Sequence, residues 1–203
     1  MINTNPDLSV YQKKIIIAIF ASGKGTNAAN IAEHFKTHKN IAVSLIACNK
    51  PDAGVLKVAE AHNLPVLLIE KEPFFRGNAY VDELVNAHIS WIVLAGFLWK
   101  IPQKLINAYR GRIINIHPAL LPKHGGKGMY GSKVHEAIIA AGEKETGITI
   151  HFVDEHYDNG DVIFQAKCPV VADDTADSLA QRIHQLEYEH YPKTIETIVN
   201  KGF

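Results

Sequence analysis

Gly111-Arg112-Ile113-Ile114-Asn115-Ile116-His117-Pro118-Ala119-Leu120-Leu121-Pro122 reads as a buried strand that stops at Pro118. Proline has no N–H to extend a ladder and restricts the residue before it. Side chains alternate along a strand, so Asn115 and His117 share one face while Ile114 and Ile116 take the other. A carboxamide beside an imidazole adds little to packing. At the carboxyl end of a core strand it stands where open α/β sheets bind their ligands.

The same architecture is legible on both sides of that strand. Upstream, Lys13–Ala21 is apolar on both faces, as strands of parallel sheets are, and runs into Ser22-Gly23-Lys24-Gly25-Thr26-Asn27 and a helical pattern to about Lys36. Strands over Ile41–Cys48, Pro65–Ile69 and Ser90–Ala95 alternate with helices over Ala53–His62, Asn78–Ala87 and after Ile101-Pro102; Phe74-Phe75-Arg76 reads as a loop. Alternation of this kind predicts right-handed crossovers and a largely parallel sheet with helices on both faces. Downstream, Leu121–Tyr130 is a glycine-rich loop and Gly131–Ala141 a helix. Gly147–Val153 and Val162–Val170 read as strands made antiparallel by a turn carrying Asn159-Gly160. Thr175 reads as the cap of a last helix that ends near His190, with Pro192 opening a further turn. The expected fold class is α/β, a Rossmann-like mostly parallel sheet with an antiparallel hairpin in the carboxyl-terminal half. Residues 1–12 are expected to be a flexible extension and 13–203 a single domain, with a phosphate-binding half over 13–110 and a catalytic half over 111–203.

With 203 residues the chain can bury a full core. Its 21 basic and 21 acidic residues cancel, so no polyanion-binding surface for nucleic acid is expected. Cys48 and Cys168 lie in apolar runs and read as reduced, buried thiols. No signal peptide is visible, and Ile15–Phe20 is too short to span a bilayer, so a cytoplasmic protein without membrane partners is expected.

Each candidate site also has a plainer reading. Ser22–Asn27 is either an anion cradle at a helix start or an ordinary strand-to-helix turn; it lacks the third glycine of a dinucleotide fingerprint and the lysine placement of a Walker motif. His117 alone is more often a hydrogen-bonded structural residue, but with Asn115 it forms a pair of donors suited to a developing oxyanion. No serine elbow or adjacent cysteine offers a covalent nucleophile, so direct attack by a substrate group fits better. Asp158 is either a turn-former or a carboxylate that orients His117 or takes a proton. Glu187 is either solvated helix face or a partner for sugar hydroxyls. His184, Glu187 and His190 share a broad helix face, but no metal motif appears and none is expected. Trp91 reads as core and Trp99 as pocket wall.

Taken together, Asn115–Lys123, Leu94-Ala95-Gly96-Phe97, Ser22–Asn27 and the Asp158 turn resemble the folate-linked formyltransferase superfamily. Within it, the His-Pro-Ala-Leu-Leu-Pro-Lys form resembles the phosphoribosylglycinamide formyltransferases, over about residues 14–195. The resemblance implies transfer of the formyl group of 10-formyltetrahydrofolate to the amine of glycinamide ribonucleotide, without a metal, in a monomer or homodimer. It implies catalytic roles for Asn115, His117 and Asp158, and phosphate binding by Gly25, Thr26 and Asn27. It implies ribose binding by Glu187 and a glycinamide-end contact at Pro118. Leu94, Phe97, Leu98, Asp154, Glu155, His156, Tyr157 and Asn159 match the folate-binding wall and loop. Two stretches depart from the pattern: His124–Gly131 replaces a shorter aromatic-Pro-Gly segment, leaving open whether Lys127 and Tyr130 touch substrate, and His184 replaces a glutamine. A 10-formyltetrahydrofolate hydrolase or a methionyl-tRNA formyltransferase is the nearest alternative. Each is expected to carry a further domain, and the second a basic surface. A nucleotide-binding regulatory protein is disfavoured by the incomplete glycine pattern.

Overall fold

The computed structural model describes residues 14–201; the expected extension over 1–12 lies outside them. Five parallel strands come first: β1 (Ile15–Ala21), β2 (Ile41–Cys48), β3 (Val66–Leu68), β4 (Trp91–Leu94) and β5 (Ile113–His117). β6 (Glu145–Phe152) runs antiparallel to β5, and β7 (Val162–Pro169) antiparallel to β6. The sheet order is β3-β2-β1-β4-β5-β6-β7.

The order follows from where the crossovers pack. α1 (Thr26–Phe35) and α2 (Val55–Ala61) cover one face of the sheet through Ile31, Phe35 and Val55. α6 (Ser132–Ala140) and α7 (Ala176–Lys201) cover the same face through Val134, Ile138, Leu179 and Ile183. α3 (Lys71–Arg76), α4 (Ala79–Asn86) and α5 (Gln103–Ala108) cover the other through Phe74, Leu84 and Leu105. The chain therefore leaves β1 toward β2 and returns to β4 on β1's other side. That reversal opens a crevice at the carboxyl ends of β1 and β4, the usual ligand site of such sheets. Ser22 spans it: its N–H donates to Gly96 O (3.1 Å), and its hydroxyl accepts from the Leu98 N–H (2.9 Å).

Two expectations are corrected. Phe74-Phe75-Arg76 is the end of α3 rather than a loop. Pro73 sits in that helix's first turn, where no N–H is needed, and Phe74 turns into the core beside Phe97 and Trp99. The last helix does not end near His190 but runs through Pro192 to Lys201. Pro192 cannot donate to the carbonyl of Tyr188, four residues back. Asn30 of α1 does so instead, its side-chain N–H reaching Tyr188 O at 2.8 Å. With that acceptor satisfied and Tyr191, Pro192 and Ile195 buried, the helix continues. Thr175 does cap this helix: its hydroxyl accepts from Ser178 N–H (3.1 Å) and its own N–H donates to Ser178 Oγ (3.0 Å).

Candidate active site

β5 delivers Asn115 and His117 on one face, as alternation requires, while Ile114 and Ile116 pack into the opposite layer. Directly across the ladder from Asn115 lies His151 of β6. The His151 Nδ1–H donates to Phe152 O (2.7 Å), so Nε2 is an acceptor, and Asn115 Nδ2 donates to it at 3.1 Å. Burial pushes the His151 imidazole below the usual histidine range, which keeps it in this neutral, accepting form. Asn115 thus spends one N–H on His151 and has a second to offer.

His117 is fixed in the complementary way. Its Nε2 donates to the backbone carbonyl of His124 (2.8 Å), leaving Nδ1 turned toward Asp158. Asp158 Oδ2 stands 3.6 Å from that Nδ1 and Oδ1 stands 3.7 Å from His151 Nε2; Gly126 N–H donates to Oδ2 at 2.9 Å. Asp158 has φ 51°, a left-handed backbone that aspartate tolerates better than most residues and that marks functional positions. Asn115, His117, His151 and Asp158, drawn from two separate stretches of the chain, therefore meet at one end of β5.

Beside them is the loop after β1. Gly25 caps α1 with φ 82°, and a Cβ there would stand 2.7 Å from Val55 Cα, so the turn is closed to other residues. No side chain caps α1; its first N–H groups can serve an anion. Asn27 in the first turn donates to Glu187 Oε2 (2.9 Å), which also accepts from His184 Nδ1 (2.8 Å). Glu187 is 5% exposed, and the hydrogen bond it accepts raises the His184 imidazole above the usual range. The buried Asn27 Oδ1 has no hydrogen-bond partner among the described residues.

The remaining residues singled out in the sequence divide. Leu94 is buried at the end of β4, Phe97 packs edge-on to Phe20 and Phe74, and Leu98 is 40% exposed. Pro118 follows His117 directly. In the turn after β6, Asp154 accepts from His156 N–H and Asn159 Nδ2, shaping the loop that carries Asp158. Glu155 is drawn away to Gln103 and Arg110 (2.9 and 3.2 Å); those bonds and a backbone hydrogen bond hold its carboxyl at about 2. His156 stands in solvent, and Tyr157 lies under Lys100. Tyr130 is exposed, with the Lys133 ammonium over its ring.

Two residues escaped the sequence reading. His151 was signalled by Thr149 and His151 alternating with Ile148 and Ile150, a polar face on a strand with no solvent side. His135, on the buried side of α6, has an unpartnered Nδ1 among the described residues and is 3% exposed. Burial first and His184 second push it below the usual range, while Glu187 and His117 also act on it.

Among the described residues no three His, Cys, Asp or Glu side chains are placed to hold a metal, and no helix is long and apolar enough to cross a membrane. His190 packs against the Phe164 ring, tilted 38° to it, instead of joining His184.

A model of the formyl transferase family matches residues 14–195. The phosphoribosylglycinamide formyltransferase of Bacillus subtilis (strain 168) is 36% identical over 193 residues, 91% of this chain and 96% of that protein. The chloroplastic phosphoribosylglycinamide formyltransferase of Vigna unguiculata is 42% identical over 200 residues, 94% of this chain. The chain spans 62% of that protein and 64% of its Arabidopsis thaliana counterpart. The crystal structure of phosphoribosylglycinamide formyltransferase from Bacillus halodurans superposes with TM-score 0.83 at 34% identity, covering 93% of this chain and 97% of that one. Sequence, fold and site geometry agree: the chain belongs to the formyl transferase family, in its phosphoribosylglycinamide formyltransferase branch.

Proposed function

We propose that this protein transfers the formyl group of 10-formyltetrahydrofolate to the amine of 5'-phosphoribosylglycinamide, releasing the N-formyl product and tetrahydrofolate, in de novo purine synthesis. The observation that carries the reading is the meeting of Asp158 with His117 at 3.6 Å, beside the Asn115–His151 pair and along the same sheet edge as the α1 N-terminus. Gly25, Thr26 and Asn27 hold the phosphate through helix-start N–H groups. Glu187 accepts from the ribose hydroxyls, and the unpartnered Asn27 Oδ1 offers a further acceptor. Leu94, Phe97 and Leu98 form the apolar wall for the pterin, and the 154–159 loop its other side. Pro118 borders the glycinamide end.

In the reaction the glycinamide nitrogen attacks the formyl carbon, and the carbonyl electrons move onto oxygen. That oxygen lies against the second Asn115 N–H, a donor set before substrate arrives, and against the Nδ1 edge of His117, which donates there when the ring carries hydrogen on both nitrogens. Asp158 takes the proton released by the attacking amine, directly or through one water. Collapse of the tetrahedral intermediate breaks the carbon–nitrogen bond to folate, and the leaving folate nitrogen takes up the proton that Asp158 accepted from the amine. The ligands are small molecules, the expected compartment is the cytoplasm, and the working unit is a monomer or homodimer.

An assay with glycinamide ribonucleotide and 10-formyltetrahydrofolate tests this, with water and methionyl-tRNA as competing acceptors. Formyl appearing on glycinamide ribonucleotide is the expected result. Formate release at the same rate without that amine points to the hydrolase instead, and formylmethionyl-tRNA to the tRNA enzyme.

A further inference from the structure

Two groups of the proposed reacting site, His117 and Asp158, take their orientation from one short loop. The carbonyl of His124 accepts from His117 Nε2–H, and the N–H of Gly126 donates to Asp158 Oδ2. Because a carbonyl only accepts, this bond decides which nitrogen of His117 carries hydrogen and turns Nδ1 toward the carboxylate.

The loop does not hold this shape by itself. His124 has φ 54°, a left-handed backbone that is unfavourable for a residue with a Cβ. Gly125 and Gly126 follow it, with no side chains to pack. A support comes from the turn between α6 and β6: Glu143 Oε1 accepts from His124 Nε2 at 3.2 Å. Lys123 Nζ lies 3.1 and 3.0 Å from the two Glu143 carboxylate oxygens. These hydrogen bonds, Lys123's first, hold the Glu143 carboxyl below the usual range, so it is an anion at neutral pH.

We propose that Glu143 is a positioning residue for formyl transfer: by clamping Lys123 and His124 it holds the His124 carbonyl and the Gly126 N–H where His117 and Asp158 require them. This rests on the reading of Asn115, His117 and Asp158 as the reacting site. Glu143 bonds neither the loop at the start of α1 nor Glu187, so its loss should act on turnover rather than on ribonucleotide binding. A displacement of about 1 Å in a supporting group can cost up to about a hundredfold; the backbone of the loop is joined at both ends, so a smaller loss is expected.

The test compares wild type, Glu143→Ala and Glu143→Gln by steady-state kinetics with both substrates, and by nitrogen NMR of the His117 ring. Glu143→Ala should lower kcat about tenfold while each KM stays within about twofold. Glu143→Gln keeps an oxygen that accepts from His124 and should restore kcat to within about threefold of wild type. The His117 ring should carry its hydrogen on Nε2 in wild type and in Glu143→Gln, and show mixed tautomers in Glu143→Ala. An unchanged kcat with an unchanged ring in Glu143→Ala overturns the proposal. So does a loss carried by KM, or a glutamine variant no better than alanine. If wild type itself formylates no glycinamide ribonucleotide, the proposed function fails, and the NMR comparison still decides whether Glu143 sets the His117 ring.

Discussion

Replacing Asn115 with alanine isolates the donor on which the proposed chemistry most depends. The Asn115 backbone sits in the ladder between Leu94 and His151, so the strand survives the change. Two N–H groups are lost, the one held by His151 at 3.1 Å and the one left for the formyl oxygen. Loss of a single oxyanion donor costs about 10²–10³ in kcat, or about 2.7–4 kcal/mol of transition-state stabilisation. The His151 Nε2 is left without its donor in a site 2% exposed, which costs about 1–3 kcal/mol of stability. For a chain of this length that is a fall in Tm of roughly 2–12 °C. Turnover should be measured at saturating concentrations of both substrates, well below the variant's Tm, so that unfolding does not enter kcat. Asn115→Asp sharpens the test: it replaces a donor with an acceptor facing the His151 lone pair and should do no better than alanine. A folded Asn115→Ala enzyme that loses less than about threefold in kcat would refute the oxyanion role.

Other expectations follow from the same geometry. Gly25→Ala places a methyl 2.7 Å from Val55 Cα at φ 82° and should raise the KM for glycinamide ribonucleotide more than it lowers kcat; an unchanged KM counts against the phosphate loop. Tyr191→Phe removes a fully buried hydroxyl that donates to Leu94 O at 2.9 Å, and should cost about 1–3 kcal/mol in urea unfolding because a buried acceptor loses its partner. His135 and His151 are held neutral by burial, below the 6.5 of a free histidine, so the unfolded chain binds more protons as pH drops through that value. Their contribution is complete above pH 6.5 and declines as pH falls below it, by at most about 1.4 kcal/mol per pH unit for each histidine. The stability difference between wild type and His135→Gln, followed by urea midpoints on acidification, should shift in the variant's favour; a constant difference would contradict it.

The sequence showed the strands because fully buried parallel strands write themselves as apolar runs, and it showed Asn115 and His117 because polar residues interrupt one. It misjudged α3 because six residues give too little periodicity to separate a short helix from a loop. The path through Pro192 was hidden for a different reason: the compensating donor, Asn30, lies 158 residues from the Tyr188 carbonyl that it satisfies. His151 was missed because its meaning comes from strand pairing, which places it opposite Asn115 only after register is known. The Glu155 side chain illustrates the converse, since membership in the right loop did not foretell that Gln103 and Arg110 would turn it aside.

The bond from Asn30 to the carbonyl that Pro192 leaves open has a neighbour three residues earlier on α1, the bond from Asn27 to Glu187. Two rivets a helical turn apart lock α1 and α7 against sliding or rotation. The span between an anion seated at the tip of α1 and a hydroxyl seated at Glu187 is thereby set in advance, like the jaws of a caliper. On the proposed reading of the α1 start and Glu187 as the two ends of the ribonucleotide site, a sugar phosphate whose phosphate-to-hydroxyl reach matches that opening should bind without the protein having to rearrange, while one a carbon shorter or longer should satisfy one jaw but not both.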